Sequence, residues 1–273
     1  MQRKLAQSVR RLLIFNLALR TPRTVAYNSR MEDDYKKDIK VAKTAAKAAG
    51  KLLASRVGVT VRSSTARDTK LEADLTSEAA ILNMLSRSHP VLSEEAGGTI
   101  DAKGPTWIVD PLDGTVNYSR GIPISCVSIA LWDKGPVLGV VYDFNRDEMF
   151  SGIVGHGAFL NDDEICVSKT IDRADAIMFT GFPAASSFDT EKLAGFVRLV
   201  QRYKKVRLLG SAALSLAYVA CGRGDAYMEQ RIRIWDIAAG VALVNAAGGA
   251  FQTLGDDPLD VFADNGVLVG VPD

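Results

Sequence analysis

An α/β fold in one globular unit is what this chain of 273 residues predicts. Three features carry that expectation. An amphipathic helical pattern opens after residue 30. Short strand-like runs, separated by Gly- and Asp-rich turns, fill the middle. Helix and strand alternate after Ile171. With 47% hydrophobic and 24% charged residues, the chain has ordinary globular composition and can bury a sizeable core. No apolar run reaches the roughly 18 residues that a membrane-spanning helix needs, so no span is expected.

Residues 1–30 read as separate from the rest. They hold seven basic residues and no acid, and Leu5, Val9, Leu12 and Leu13 share one helical face. An Arg-rich, acid-free, amphipathic start fits a mitochondrial presequence, and it fits equally a basic tail ahead of a domain spanning 31–273. The expected location is therefore cytoplasmic, or mitochondrial if residues 1–30 are a cleaved presequence. From Met31, Glu32, Asp33 and Asp34 stand where a helix dipole favours acids, and Val41, Ala45, Ala48 and Leu52 recur at helical spacing to about Arg56. A second helix is expected over Leu75–Arg87. Strands are expected at Pro90–Ser93, Trp107–Val109, Ser125–Trp132, Pro136–Tyr142 and Glu148–Val154. Helices follow at Thr190–Tyr203, Ala212–Cys221 and Ile237–Ala247, the last stopped by Gly248 and Gly249. The two halves of the unit meet near residue 150.

Charge and residue usage narrow the chemistry. Beyond residue 30 the chain has 26 basic and 32 acidic residues, a net of −6, which makes nucleic acid an unlikely main partner. Cys126, Cys166 and Cys221, three and widely spaced, suggest a reducing compartment and neither a disulfide framework nor a zinc site. The two histidines, His89 before Pro90 and His156 between glycines, both read as turn residues. Any catalysis must then come from carboxylates, hydroxyls, backbone groups and a hard metal.

Acids gather in three places. In Trp107-Ile-Val-Asp110-Pro-Leu-Asp113-Gly-Thr115, a buried-type strand is expected to end at Asp110, with a turn at Pro111 and a short helix opening after Gly114. Asp110 and Asp113 then converge, and the Gly114 and Thr115 amides at a helix start form a phosphate seat. Carboxylates beside an anion seat call for a cation between them, and oxygen ligands point to Mg²⁺. Taken alone, the same residues fit a solvated Asp-Pro-x-Asp-Gly turn. Ser93-Glu94-Glu95 follows a strand and fits a solvated loop as well. Asp236, in Trp235-Asp-Ile-Ala-Ala-Gly240, fits a plain helix N-cap.

Together these segments resemble the inositol monophosphatase family of Mg²⁺-dependent, lithium-sensitive phosphatases. The likeness rests on Asp110-Pro-Leu-Asp-Gly-Thr-Val-Asn-Tyr118, on Glu94-Glu95 before it and on Trp235-Asp236-Ile-Ala-Ala-Gly after it. Gly157-Ala-Phe-Leu-Asn161, Val167-Ser168 and Gly210-Ser-Ala-Ala213 support it. It covers essentially all of Met31–Asp273. The resemblance implies an αβαβα layered sandwich of the sugar-phosphatase type and a homodimer. It implies two or three Mg²⁺ ions per site, held by Glu94, Asp110, the Leu112 carbonyl, Asp113 and Asp236. It implies that Asp74 and Thr115 orient the attacking water, with Glu94 also catalytic. It further implies that Gly114 and Thr115 amides bind phosphate, and that Ser211, Ala212 and Glu229 contact the alcohol part of the substrate.

The expected reaction is hydrolysis of small polyol or sugar phosphates, myo-inositol 1-phosphate first because Glu229 is present. Fructose-1,6-bisphosphatase, 3′(2′),5′-bisphosphate nucleotidase and histidinol-phosphate phosphatase are the chemical neighbours. A non-catalytic RNA- or protein-binding regulator is the alternative of another class, since some bacterial relatives contact transcription or RNA-processing machinery. The chain departs from the family pattern at Lys70-Leu71, where Val-Thr is usual before the acid that Asp74 matches. A lysine there could replace or perturb a metal. Arg120 and Arg233 stand where histidines are common. With Arg231 they either add positive charge for a more anionic substrate, or are solvated or make dimer salt bridges.

Overall fold

The computed structural model describes residues 29–56, 59–64, 69–182, 190–254 and 259–269. The basic N-terminal stretch 1–28 lies outside the described residues. Helix α1 (Ser29–Ala54) comes first, then the two-stranded antiparallel pair β1 (Val61–Ser64) and β2 (Thr69–Leu71), and helix α2 (Glu72–Leu85). A seven-stranded sheet follows in chain order. It comprises β3 (Val91–Ser93), β4 (Thr106–Asp113), β5 (Cys126–Trp132), β6 (Pro136–Asp143), β7 (Glu148–Ile153), β8 (Ala158–Leu160) and β9 (Asp163–Ile165), with the short helix α3 (Thr115–Ser119) after β4. Only β3 and β4 pair in parallel; the other neighbours are antiparallel.

The second sheet is built from β10 (Ile177–Thr180), β11 (Lys205–Leu208), β12 (Ala226–Glu229), β13 (Ala250–Thr253) and β14 (Val261–Asp264), in the order β11-β10-β12-β14-β13. Helices α4 (Thr190–Val200), α5 (Ala212–Ala220) and α6 (Ile234–Ala246) connect its strands. The join between the sheets therefore falls between Ile165 and Ile177, not near residue 150 as expected. The β8–β9 hairpin, two three-residue strands beyond a Gly-His-Gly turn, prolongs the first sheet past that point.

Period-two alternation explains the layering. On β4, β5 and β6, the residues Trp107, Val109, Ile129, Leu131, Leu138, Val140 and Tyr142 pack under α1 and α2. Ile108, Cys126, Ala130, Trp132 and Val141 face the other way, onto α5 and α6. Those helices are buried nearly all round because the second sheet covers them from behind through Tyr227, Val261 and Ala263. The outer face of the second sheet packs Met178, Ala226 and Phe262 with Leu199 of α4. The result is helix, sheet, helix, sheet, helix, the αβαβα sandwich expected. Each large core side chain contributes roughly 1.5–3 kcal/mol by leaving water.

The buried stripe of α1 differs from the one expected. Ala42, Ala45, Ala46, Ala49 and Leu53 face inward, while Val41 and Leu52 are exposed. Small residues let the helix lie close to its neighbours, and that advantage outweighs the apolar area of the larger side chains. α6 approaches the sheet as closely: a Cβ at Gly139 would fall 2.2 Å from the Ala239 carbonyl oxygen. Both histidines lie in turns as expected, His89 hydrogen-bonded to Asp38 and set against the Trp107 ring. All three cysteines are unpaired. No helix among the described residues is long and apolar enough to cross a membrane.

Candidate active site

The strand carrying Asp110 does not end there. β4 runs on to Asp113, and Pro111 sits in a bulge, since Asp110 pairs with Ser128 but Asp113 pairs with Cys126. A bulge tolerates a proline that has no N–H to give to the ladder, and it re-aims the side chains around it. The Asp110 carboxylate accepts the Leu112 N–H at 3.0 Å, which closes the bulge. Gly114 then takes the left-handed conformation (φ 82°) and α3 begins as expected. A Cβ at Gly114 would lie 2.7 Å from the Ile124 carbonyl oxygen, so no other residue fits without displacing backbone.

Asp113 reaches across to α5. Its Oδ2 accepts the Ser211 hydroxyl at 2.5 Å and the Ala213 N–H at 2.9 Å, at the amino end of that helix. Asn117 fixes the approach of α5, since its amide donates to the carbonyls of Leu209 at 2.8 Å and Ile124 at 2.9 Å. Asp236 is not an N-cap. It lies in the first turn of α6, and its carboxylate accepts the Arg233 N–H at 3.1 Å. Asp74 repeats the arrangement on α2, accepting the Leu71 N–H at 2.5 Å. Three helices thus turn their amino ends, and the positive end of their dipoles, toward carboxylates of one region.

Glu94 stands in the loop after β3. That loop is held by Glu78, whose Oε1 accepts the Ser93 hydroxyl at 2.5 Å and the Ala96 N–H at 2.9 Å. Ser77 donates to the Pro111 carbonyl at 2.6 Å. Sequence reasoning missed Ser77 and Glu78. The signal for them was their spacing: three and four residues after Asp74, they extend one polar stripe along a helix face that the structure buries.

Electrostatics tie the acids into one cluster. Burial holds Asp110 well above the ordinary carboxylate range, and the nearby charges of Glu94, Asp113 and Asp236 push it further. Burial does the same to Asp236, reinforced by Asp113 and Glu94. Asp113 is raised by burial and partly relieved by Ser211 and the α5 amides. Burial lifts Asp74 to about 6 against the Leu71 hydrogen bond. Glu229, at the end of β12, is pushed to about 7 by burial, although the Tyr227 hydroxyl donates to it at 2.8 Å. Buried acids that resist ionisation because of one another have the chemistry of a hard-cation site. They are not gathered into a finished coordination shell: among the described residues, no three His, Cys, Asp or Glu side chains are arranged to hold an ion.

The remaining expected residues fall as follows. The Thr115 hydroxyl donates to the Leu112 carbonyl at 2.9 Å, linking the two. The Ser211 hydroxyl donates to Asp113 and its oxygen receives the Leu214 N–H, which ties this side chain to the acid cluster. Ala212 begins α5 beside it. Arg120, Arg231 and Arg233 are all exposed. Lys70 ion-pairs with Glu95 and stands 3.9 Å from Glu94.

A family model described as the inositol monophosphatase family matches residues 34–271. The chain belongs to the inositol monophosphatase family, a family of phosphatases. Its relatives include the Nus factor SuhB of Xylella fastidiosa, 44% identical over 183 residues, which are 65% of this chain and 66% of that protein, just under two thirds. The inositol-1-monophosphatase of Synechocystis is 39% identical over 218 residues, 74% of this chain and 75% of that one. The crystal structure of extragenic suppressor protein suhB from Bartonella henselae superposes with a TM-score of 0.78 at 35% identity. That match covers 85% of this chain and 95% of that one.

Proposed function

We propose that this chain hydrolyses phosphate monoesters of small polyols or sugars with Mg²⁺, with myo-inositol 1-phosphate as leading substrate. One observation carries the reading: Glu94, Asp110, Asp113 and Asp236, from three separate segments, are close enough for their charges to oppose one another's ionisation. A bound cation relieves that repulsion and lets the carboxylates ionise at neutral pH. Glu94, Asp110, Asp113, Asp236 and the Leu112 carbonyl would hold the metal, two or three ions in all. That carbonyl has a second lone pair available while it accepts from Thr115.

Bound metal would supply an acidified water and charge neutralisation on the phosphoryl oxygens. The chain's own groups do the rest. Asp74, with a pKa of about 6, is mostly ionised at pH 7.5 and accepts a proton from the attacking water, which Thr115 orients. The Gly114 and Thr115 amides receive the phosphate. Glu229 accepts hydroxyls of the alcohol, aligned by Tyr227. Ser211 acts through Asp113, and Ala212 lines the same approach. The working unit is residues 31–273 as a homodimer, and lithium inhibits it by competing for the Mg²⁺ site.

The test is phosphate release from inositol 1-phosphate, fructose 1,6-bisphosphate, adenosine 3′,5′-bisphosphate and histidinol phosphate, with and without Mg²⁺, using Asp110→Asn as control. Mg²⁺-dependent release that disappears in the control is expected, fastest with the inositol ester. A second reading rests on the relatives named Nus factor SuhB: this chain has such a role too, alone or besides catalysis. No release from any substrate would leave that reading in front.

A further inference from the structure

Lys70 is the middle residue of β2, paired across the hairpin with Ser63. Its ammonium forms an ion pair with Glu95 Oε1 and stands 3.9 Å from Glu94 Oε1. Arg62, from β1, takes the other oxygen of Glu95 at 3.2 Å and also reaches Glu72 at 3.5 Å. The Glu95 side chain is only 7% exposed, whereas that of Lys70 is 33% exposed. Two cations thus meet a nearly buried Glu95, and the field of the Lys70 ammonium falls on Glu94 as well. Lysine suits this place because its ammonium is a compact point charge on a flexible stem, with no fork to lock it onto a single carboxylate.

From this geometry, and resting on the metal-dependent reading above, we propose that Lys70 is a tethered cation. It occupies the Glu94–Glu95 end of the acid cluster in place of a divalent ion, so that the chain takes up one ion fewer than its acids would otherwise recruit. An ammonium and a divalent ion at one carboxylate pair repel each other at a few ångströms. The ammonium is held covalently at the site, which gives it a high effective concentration against a metal arriving from solution. Lys70 is in this sense a positioning residue: it sets the charge of Glu94, and through it the metal load, without contacting substrate.

The experiment counts bound Mn²⁺, used as a spectroscopic substitute for Mg²⁺, per full-length chain by electron paramagnetic resonance titration. Wild type is compared with Lys70→Met and Lys70→Arg, with Lys70→Gln taken if the Met variant fails to fold. One additional Mn²⁺ per chain in Lys70→Met, bound with an apparent Kd about tenfold below that of wild type's weakest ion, is expected. Lys70→Arg, which keeps the charge, should bind as wild type does. An unchanged count and affinity in Lys70→Met would overturn the inference while leaving the metal site standing. A gain in both variants would also overturn it, by tying the effect to shape instead of charge. Failure of all three proteins to bind Mn²⁺ would remove the metal reading itself, and this inference with it.

Discussion

A single methyl group at position 114 tests how tightly the site is built. Gly114 is left-handed, and a Cβ there would meet the Ile124 carbonyl oxygen at 2.7 Å and the Ser125 Cα at 3.2 Å. Both are backbone atoms, so neither can swing aside as a side-chain end would. Gly114→Ala is expected to cost at least about 2 kcal/mol in urea denaturation, from the strained φ and the displaced backbone together. Phosphate release should fall at least about tenfold, because the Asp113–Thr115 turn is what moves. Ser211→Ala probes a different contact. It strips a 2.5 Å hydrogen bond from buried Asp113 but leaves the Ala213 amide in place. The expected outcome is a Mg²⁺ affinity weaker by about tenfold, with KM for the phosphate ester nearly unchanged, since outer-shell partners of metal ligands typically carry effects of that size. Calorimetric titration with Mg²⁺ reads the first quantity and steady-state kinetics the second. A raised KM with unaltered Mg²⁺ affinity would return Ser211 to the substrate.

At the scale of elements, the site is a meeting of helix starts on the end of a bulged strand. α2 brings Asp74 and α6 brings Asp236, each in its first turn, while α5 presents the Ala213 amide to Asp113 from 100 positions away. Asn117, on α3, fastens the loop before β5 to the loop before α5, donating to the carbonyls of Ile124 and Leu209. Asn117→Ala leaves those half-buried carbonyls short of a donor and is expected to cost about 1–2 kcal/mol, seen as a lower urea midpoint at unchanged m-value. The same element view separates what the sequence reveals from what it hides. Asp110, Asp113 and Asp236 are legible because each sits in a local pattern: an apolar run, a Pro-x-Asp-Gly turn, an apolar helix behind an acid. The order of helices and central strands is legible for the same reason. The Ser211–Asp113 bond and the grip of Glu78 on the Glu94 loop are contacts between distant segments, and no local period encodes them. The buried stripe of α1 was missed because side-chain size guided the reading, and close packing of alanines decided the outcome.

Across the whole molecule, the layers leave the acid cluster where water is scarce, and this makes stability depend on pH in an unusual direction. Asp74 at about 6 and Glu229 at about 7 both lie above their ordinary values of 3.8 and 4.5, and Asp110, Asp113 and Asp236 are raised as well. A group whose folded pKa is raised holds a proton in the folded chain that the unfolded chain has already lost. Stability therefore falls as pH climbs from the unfolded pKa, near 4, through the folded one. For Asp74, a shift of roughly two units corresponds to at most about 3 kcal/mol. Glu148, lowered by its Arg223 partner, works in the opposite sense and takes its toll only in acid, so the window to examine opens above pH 5. In EDTA, Tm is expected to drop by at least about 5 °C between pH 5.5 and pH 8, given the ~2–4 °C per kcal/mol typical of a domain this size. Added Mg²⁺ should raise Tm far more at pH 8 than at pH 5.5, because the ligands bind metal only after losing their protons. Scanning calorimetry at the two pH values, each with EDTA and with Mg²⁺, gives the four transition temperatures required. A Tm in EDTA that is flat or rises toward pH 8 would mean that the carboxylates are already solvated or paired without metal. Equal Mg²⁺ gains at both pH values would mean that the ion binds elsewhere.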